Sequence, residues 1–224
     1  MTKSKPVIVS AKDQIFETLK AAILSNEYKP GDILQIDKLA REFGVSATPI
    51  RETLLRLEGA GLLKLIPNKG ALVNEIEPKD IVDLWEMRKI LECYAGRLSA
   101  ALIPDQEIDA LIARVRALTG GGFDKEAYTR VDDDIHRILY AYLDNRYFRE
   151  AIARVQDNSL RIRYYAENAS EQRESIVSEV CMEHIALLEA LKLHDPDRIE
   201  QTLRRHLENG ARRTLATVKS LSAN

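Results

Sequence analysis

Apolar residues recur at helical spacing through most of this chain, and only one short stretch breaks into strand-like runs. Over residues 13–25, Ile15, Phe16, Leu19, Ala22 and Ile23 share one face, the repeat of a half-buried helix. Tyr28-Lys29-Pro30-Gly31-Asp32 closes it as a turn, because proline fixes φ and glycine admits a positive one. A second short helix over 35–43 turns Ile36, Leu39 and Ala40 inward and stops at Gly44, a residue suited to the left-handed position after a helix. Ser46 suits the N-cap of a third helix and Pro49 its first turn. There Ile50, Leu54 and Leu57 fall at i, i+4 and i+7, so they face the core. Gly59-Ala60-Gly61 ends that helix. Residues 62–66 and 71–73 then read as two strands around the turn Pro67-Asn68-Lys69-Gly70. A short helix, a glycine turn and a helix opened by serine form a helix-turn-helix pattern, and the hairpin adds a wing. Ala47, Thr48, Arg51 and Glu52 are left on the outward N-terminal turns, the part of such a helix that meets bases and phosphates. Lys69 at the hairpin tip suits a phosphate.

Beyond Glu77-Pro78 the pattern is helical throughout. Six helices are predicted, over 78 to about 102, 105–118, 124–143, 147–169, 172–193 and 196–221. Ile103-Pro104, Gly120-Gly121-Gly122, Asp144-Asn145, Ser170-Glu171 and His194-Asp195 separate them, and such short loops imply an antiparallel bundle. Polar residues interrupt the inward stripes. The first helix reads Ile81, Leu84, Arg88, Leu91, Ala95, Leu98; the third Tyr128, Asp132, His136, Leu139, Leu143. The fifth reads Val177, Cys181, His184, Leu188, Leu191, and the sixth Ile199, Leu203, His206, Gly210. Burying such groups without partners costs several kcal/mol each. One divalent ion would satisfy Asp132, His136, His184 and His206 together, and the i, i+4 spacing of Asp132 and His136 lets both heads converge. Histidines with a carboxylate suit zinc first, and nickel or manganese as well. Three separate core histidines, each hydrogen-bonded to a neighbour, are the plainer alternative. His194 falls in a loop and is expected to face solvent.

Composition refines this picture. The 224 residues are 45% hydrophobic and 30% charged, an ordinary soluble balance. No apolar run approaches the roughly 18–20 residues that span a bilayer, and the first residues lack a signal-like apolar stretch, so a cytoplasmic protein without membrane contact is expected. Cys93 and Cys181 fit neither a disulfide framework nor a thiolate site and are expected reduced and buried. The net charge of −2 argues against a nucleic-acid binder, but its distribution does not. Residues 1–74 carry 11 Lys and Arg against 8 Asp and Glu, whereas residues 75–224 carry 22 against 27. A basic first module on an acidic body suits a DNA reader joined to a sensing domain.

Residues 39–73, LAREFGVSATPIRETLLRLEGAGLLKLIPNKGALV, closely resemble the DNA-binding domain of the GntR family of bacterial regulators. The resemblance implies that Ser46, Thr48 and Arg51 contact phosphates and bases, with Asn68, Lys69 and Gly70 at the wing tip. Two positions depart from the pattern: Ala47 replaces an arginine that usually follows the serine, and Asp37 stands where many members carry arginine. Each lost phosphate contact flattens the salt dependence by roughly 0.9 log units per log unit of salt. About residues 79–215 resemble the FCD ligand-binding domain, through WEMRKILECYAGRLSA, DDDIHRILYAYLDN and EHIALLEALKLHDPDRIEQTLRRHLEN. Asp132, His136, His184 and His206 match that domain's metal-binding residues, and Ile135 replaces a common phenylalanine. Arg88 matches an arginine that approaches the effector in this family, which implies a small carboxylate or sugar acid. A salt bridge to Glu92, one turn on, is the structural alternative for Arg88.

The expected protein is therefore mainly α. A winged helix-turn-helix of three helices and a hairpin over 1–74 and a linker over 75–78 precede a six-helix ligand- and metal-binding, dimerising domain over 79–224. Its expected function is a ligand-responsive repressor, binding a near-palindromic double-stranded operator as a homodimer. Two alternatives stay open, a metal-dependent hydrolase and a regulator sensing the metal itself. No further inward Glu, His or Lys offers an obvious general base, which weighs against the hydrolase.

Overall fold

The computed structural model describes residues 10–67, 69–119, 124–169 and 173–222; for 167–169, 173–174 and 222 only the backbone is described. The chain divides into two compact units, Met1–Ile76 and Glu77–Asn224.

The first unit holds α1 (Ala11–Leu24), β1 (Ile33–Leu34), α2 (Ile36–Phe43), α3 (Ala47–Gly59), β2 (Leu63–Ile66) and β3 (Gly70–Val73). Ser10 caps α1, its hydroxyl accepting from the Asp13 amide at 3.2 Å. Gly44 ends α2 with φ of 64°, the left-handed conformation that glycine adopts without steric cost. Beneath α3, Ile50, Leu54 and Leu57 are fully buried and meet Ile23 of α1 and Leu62.

The wing is a three-stranded sheet in the order β1-β3-β2 rather than the bare hairpin the sequence suggests. β1 is two residues long, too short for any periodicity to register. It pairs antiparallel with β3, Ile33 opposite Leu72 and Leu34 opposite Ala71. The Gly31 amide donates to the Val73 carbonyl at 3.0 Å, and the Val73 amide to the Asp32 carbonyl at 2.9 Å, which extends the pairing. Gly70 makes this possible. Its φ is 115°, and a Cβ there would lie 2.0 Å from the Leu34 carbonyl oxygen.

The second unit is α-helical: α4 (Pro78–Ser99), α5 (Asp105–Leu118), α6 (Lys125–Ala141), α7 (Arg146–Ala169), α8 (Arg173–Lys192) and α9 (Pro196–Ser222). Helix α4 starts at Pro78, with the Glu77 amide donating to the Asp80 carboxylate at 2.8 Å. It ends at Ser99, three residues before the expected stop. There His194, itself at φ of 51°, sets Nδ1 2.5 Å from the Ala100 carbonyl and Nε2 3.0 Å from Asp105. Its side chain stays solvent-accessible, as a loop histidine should.

Helix α4 is the hub, packed on α6, α7 and α9, while α8 packs on α5 and α9. Contact with three helices widens its buried surface and shifts it from the predicted stripe. Ile81, Trp85, Arg88, Glu92, Cys93 and Ala95 are buried, Leu84 and Leu91 are half-buried, and Leu98 is exposed. At Gly96 a Cβ would stand 3.0 Å from Ile199, so the missing side chain brings α4 and α9 together. Both cysteines are free and buried. Among the described residues no helix is long and apolar enough to cross a membrane.

Candidate functional site

In the first unit, α3 presents its N-terminal end outward. Ser46 occupies the N-cap position in extended backbone, but its hydroxyl makes no capping bond and is exposed instead. Thr48 and Arg51 are exposed above the buried Ile50. The rear of α3 is anchored to α1: Arg56 donates to Asp13 at 2.9 Å and lies 4.0 Å over the Phe16 ring, and Lys12 pairs with Glu52. A surface groove runs between Gln35, Ile36, Asp37, Arg51, Lys69 and Gly70. The fold thus gathers Arg51 and Lys69, which lie far apart in sequence, beside the acidic Asp37. Ser46 and Thr48 lie outside this groove's lining. Gly70 is buried within the sheet, and Asn68 lies outside the described residues.

In the second unit, α6, α8 and α9 bring His136, His184 and His206 together, each at most 6% exposed. One ring nitrogen from each lies within 4.8 Å of the others. His136 Nδ1 stands 2.6 Å from Glu92 Oε2, and His206 Nδ1 stands 2.8 Å from Glu183 Oε2. A carboxylate only accepts, so both rings donate from Nδ1 and keep a lone pair on Nε2. Those two Nε2 atoms face each other at 3.3 Å. His184 Nε2 is buried with no hydrogen-bond partner and lies 3.5 Å from Asp132 Oδ1. The same Asp132 oxygen is 3.9 Å from His136 Nε2, while Oδ2 is bound by Arg163. An ion with bonds of about 2.1 Å spaces its nitrogen ligands roughly 3.4 Å apart. The donor set therefore fits a divalent ion once Arg88 Nη2, 3.2 Å from His136 Nε2, gives up that lone pair.

Electrostatics point the same way. Burial lowers the His184 pKa well below the ordinary imidazole value, reinforced by the neighbouring His206. Burial lowers His206 too, against the opposing pull of Glu183. For Asp132 burial acts upward, yet the cations around it, Arg163 first, hold the carboxyl well below its usual range. Neutral imidazoles beside an ionised carboxylate are the forms that ligate metal.

Arg88 is not a bare clamp facing a ligand. Its Nε donates to Glu92 Oε1 at 2.6 Å, and its Nη2 lies 3.2 and 3.3 Å from the two ring nitrogens of His136. The salt bridge to Glu92 is therefore present. Arg88 also lines a cavity of about 60 Å3 with Trp85, Tyr128, Asp132, Arg163, His206 and Arg213. That is room for roughly four or five waters. Trp85 Nε1 is buried without an acceptor and lies beside Gly210, where a Cβ would come within 3.2 Å of it.

A family model for bacterial regulatory proteins of the gntR family matches residues 11–73, and one for the FCD domain matches residues 83–209. The second alone spans more than half of the chain. The chain belongs to the gntR family of bacterial regulatory proteins. Among its relatives, the HTH-type transcriptional regulator YdhC of Bacillus subtilis (strain 168) is 26% identical over 200 residues, covering 88% of this chain and 87% of that protein. The HTH-type transcriptional repressor RspR of Escherichia coli (strain K12) is 24% identical over 199 residues, covering 87% and 85%. The fold is also that of E. coli McbR/YncC, with a TM-score of 0.75 at 24% identity over 90% of this chain and 95% of the other. This gntR-family chain is a DNA-binding transcriptional regulator. Its family and relatives are regulators rather than enzymes, which removes the hydrolase reading.

Sequence reasoning overlooked Glu183, Arg213, Arg163 and Trp85, and took Glu92 only as a rival partner for Arg88. Some signal was available. Arg213 follows His206 by seven residues on one helix face, and Ile152, Gln156, Ser159, Arg163 and Ala166 form an inward stripe of α7 with its own polar interruptions. Glu183 gave none, because it neighbours His184 in sequence but binds His206 across to α9.

Proposed function

We propose that this regulator is a repressor whose helical domain binds one divalent ion and, beside it, a small organic or sugar acid that changes operator affinity. The single observation that carries the reading is the convergence of three buried imidazoles, two of their Nε2 atoms 3.3 Å apart, with Asp132 Oδ1 beside them 3.5 Å from His184 Nε2. Asp132, His136, His184 and His206 would hold the ion. Zinc suits them best, and nickel or manganese fit as well. The ion would supply a Lewis-acid anchor for a carboxylate oxygen. Arg88 keeps its Nε on Glu92, and with the ion on His136 Nε2 its Nη2 would turn from that nitrogen toward the acid. The Trp85 indole N–H, buried in the cavity wall without an acceptor, is a donor awaiting an oxygen.

The reader is residues 1–74, joined by 75–78 to the sensing and dimerising domain 79–224. Ser46 at the N-cap of α3, Thr48 and Arg51 on it, and Asn68 and Lys69 of the wing would meet the duplex, with the buried Gly70 shaping the turn behind them. A homodimer would set two recognition helices about one duplex turn apart on a near-palindromic operator in the cytoplasm. Coupling between effector and operator is typically about 1–3 kcal/mol.

Paired substitutions test the reading. His136→Ala is expected to lose the ion and the response to acids while binding operator as wild type does. Undiminished metal content by elemental analysis would overturn the cluster. Arg51→Ala is expected to abolish operator retardation in a gel and leave metal content unchanged. Wild-type retardation there would displace the recognition helix from its role.

A further inference from the structure

We infer that Glu92 and Glu183 are positioning residues for the ion, and that Arg88 and Arg213 make the cavity wall part of their support, so that the wall sets the metal affinity. The inference rests on the metal reading above.

Two chains of contacts run from the cavity to the cluster. In one, Arg88 Nε donates to Glu92 Oε1 at 2.6 Å, and His136 Nδ1 donates to Glu92 Oε2 at 2.6 Å. In the other, Arg213 grips Glu183 with both terminal nitrogens at 2.9 Å, and His206 Nδ1 donates to Glu183 Oε2 at 2.8 Å. Asn209 adds a donor to Glu183 Oε1 at 2.8 Å. Each chain runs from an arginine of the cavity wall through a carboxylate to the far nitrogen of an imidazole; Arg88 also reaches the near nitrogen of His136, at 3.2 Å, which Arg213 does not do for His206.

A carboxylate at Nδ1 fixes the tautomer, aims the ring and makes Nε2 a better donor to metal. The two-point grip of Arg213 leaves Glu183 no freedom to swing away from His206. Without it, Asn209 alone would steady the Glu183 carboxylate behind His206. A ligand that draws on Arg213 or Arg88 therefore reaches the ion without touching it, and by reciprocity the ion reaches the ligand.

The test measures zinc affinity of the full chain by competition with a chromophoric chelator, with Zn2+ as the only probe. Glu183→Gln is expected to weaken zinc binding about 10- to 100-fold. Arg213→Gln, at the wall and not a ligand, is expected to weaken it about 10-fold, with Arg213→Lys recovering most of the loss. A purely structural role would lower the thermal midpoint of the metal-free protein and leave zinc affinity of the folded variants at the wild-type value, and that result overturns the inference. Should the variants fail to fold, nitrogen-15 imidazole shifts of the zinc-loaded wild type decide it. His136 and His206 are expected as Nδ1–H forms, and an Nε2–H form at either one overturns it. A wild-type chain that binds no zinc at all would instead remove the metal reading itself.

Discussion

The two units place their chemistry on opposite sides of their surfaces. Among the described residues of the first unit, Thr53 is the one buried polar side chain, in a core of Ile23, Ile50, Leu54, Leu57 and Leu62. The residues proposed to meet DNA, Thr48, Arg51 and Lys69, are exposed. The second unit buries Arg88, Glu92, Asp132, His136, His184 and His206. A polyanionic duplex is met by exposed cations that water and salt screen. A small acid and an ion need charges fixed in a medium where each interaction is stronger and each orphan costlier. Single substitutions should therefore act on stability in one unit and on binding in the other.

The largest effect should come from Glu92→Ala. It strips the counter-charge from Arg88, which is 2% exposed, and the acceptor from His136 Nδ1. Removing one partner of a buried pair costs about 3–5 kcal/mol. Urea denaturation should show that loss in the helical unit, while Arg51→Ala stays within about 0.5 kcal/mol of wild type. Equal losses for the two variants would erase the contrast between the units.

Acid should separate the units next. His184 and His206 are held below the ordinary imidazole pKa, burial being the largest cause. The unfolded chain then takes up more protons than the fold, so stability is full above about pH 6.5 and falls as pH drops below it. The carboxylates of Glu92, Asp132 and Glu183 are also held well below their usual range; burial acts upward, but the adjacent cations outweigh it. Their contribution is full above about pH 4.3 and lost below it. His184 and His206 both lie in the helical unit, where the exposed His194, raised by the Ala100 carbonyl, acts in the opposite direction. Metal-free protein taken from pH 7.5 to 5.5 should thus lose stability in the helical unit and keep it in the winged one. Domain-resolved hydrogen exchange reads both at once, and parallel losses would contradict the assignment.

The same contrast explains what the sequence disclosed. Interior chemistry was legible where one helix carried it: Asp132 and His136 at i, i+4, His184, and His206 each break an apolar stripe. It was hidden where the partner came from another helix, as Glu183 does for His206, because no periodicity records a contact across helices. Burial on α4 was misread because three neighbours bury more than one stripe. In the first unit the helices followed from apolar spacing and the glycine at 44, but β1 did not. Its two residues are ordered by a close approach at Gly70 that is a property of the folded sheet.

The smallest effect tests the exposed side of the comparison. Asp37 lies in the groove with Arg51 and Lys69, exposed and opposed to the charge of DNA. Asp37→Asn keeps the shape and removes the charge. An exposed charge interaction is worth about 0.2–1 kcal/mol, so affinity for a duplex of arbitrary sequence should rise about 1.5- to 5-fold. Because the substitution leaves the proposed phosphate contacts of Arg51 and Lys69 unaltered, the slope of binding against salt should stay as it is. An aspartate can also accept from a cytosine amino group, and then the variant would lose affinity for the operator while gaining it for unrelated DNA. Gel retardation on operator and scrambled duplex separates the two roles. A gain on both makes Asp37 a brake on affinity. Opposite changes make it a reader of sequence, and no change on either would place it outside the contact surface. In each case the shift stays below the Glu92→Ala loss, since water and counterions share the work that buried partners must do alone.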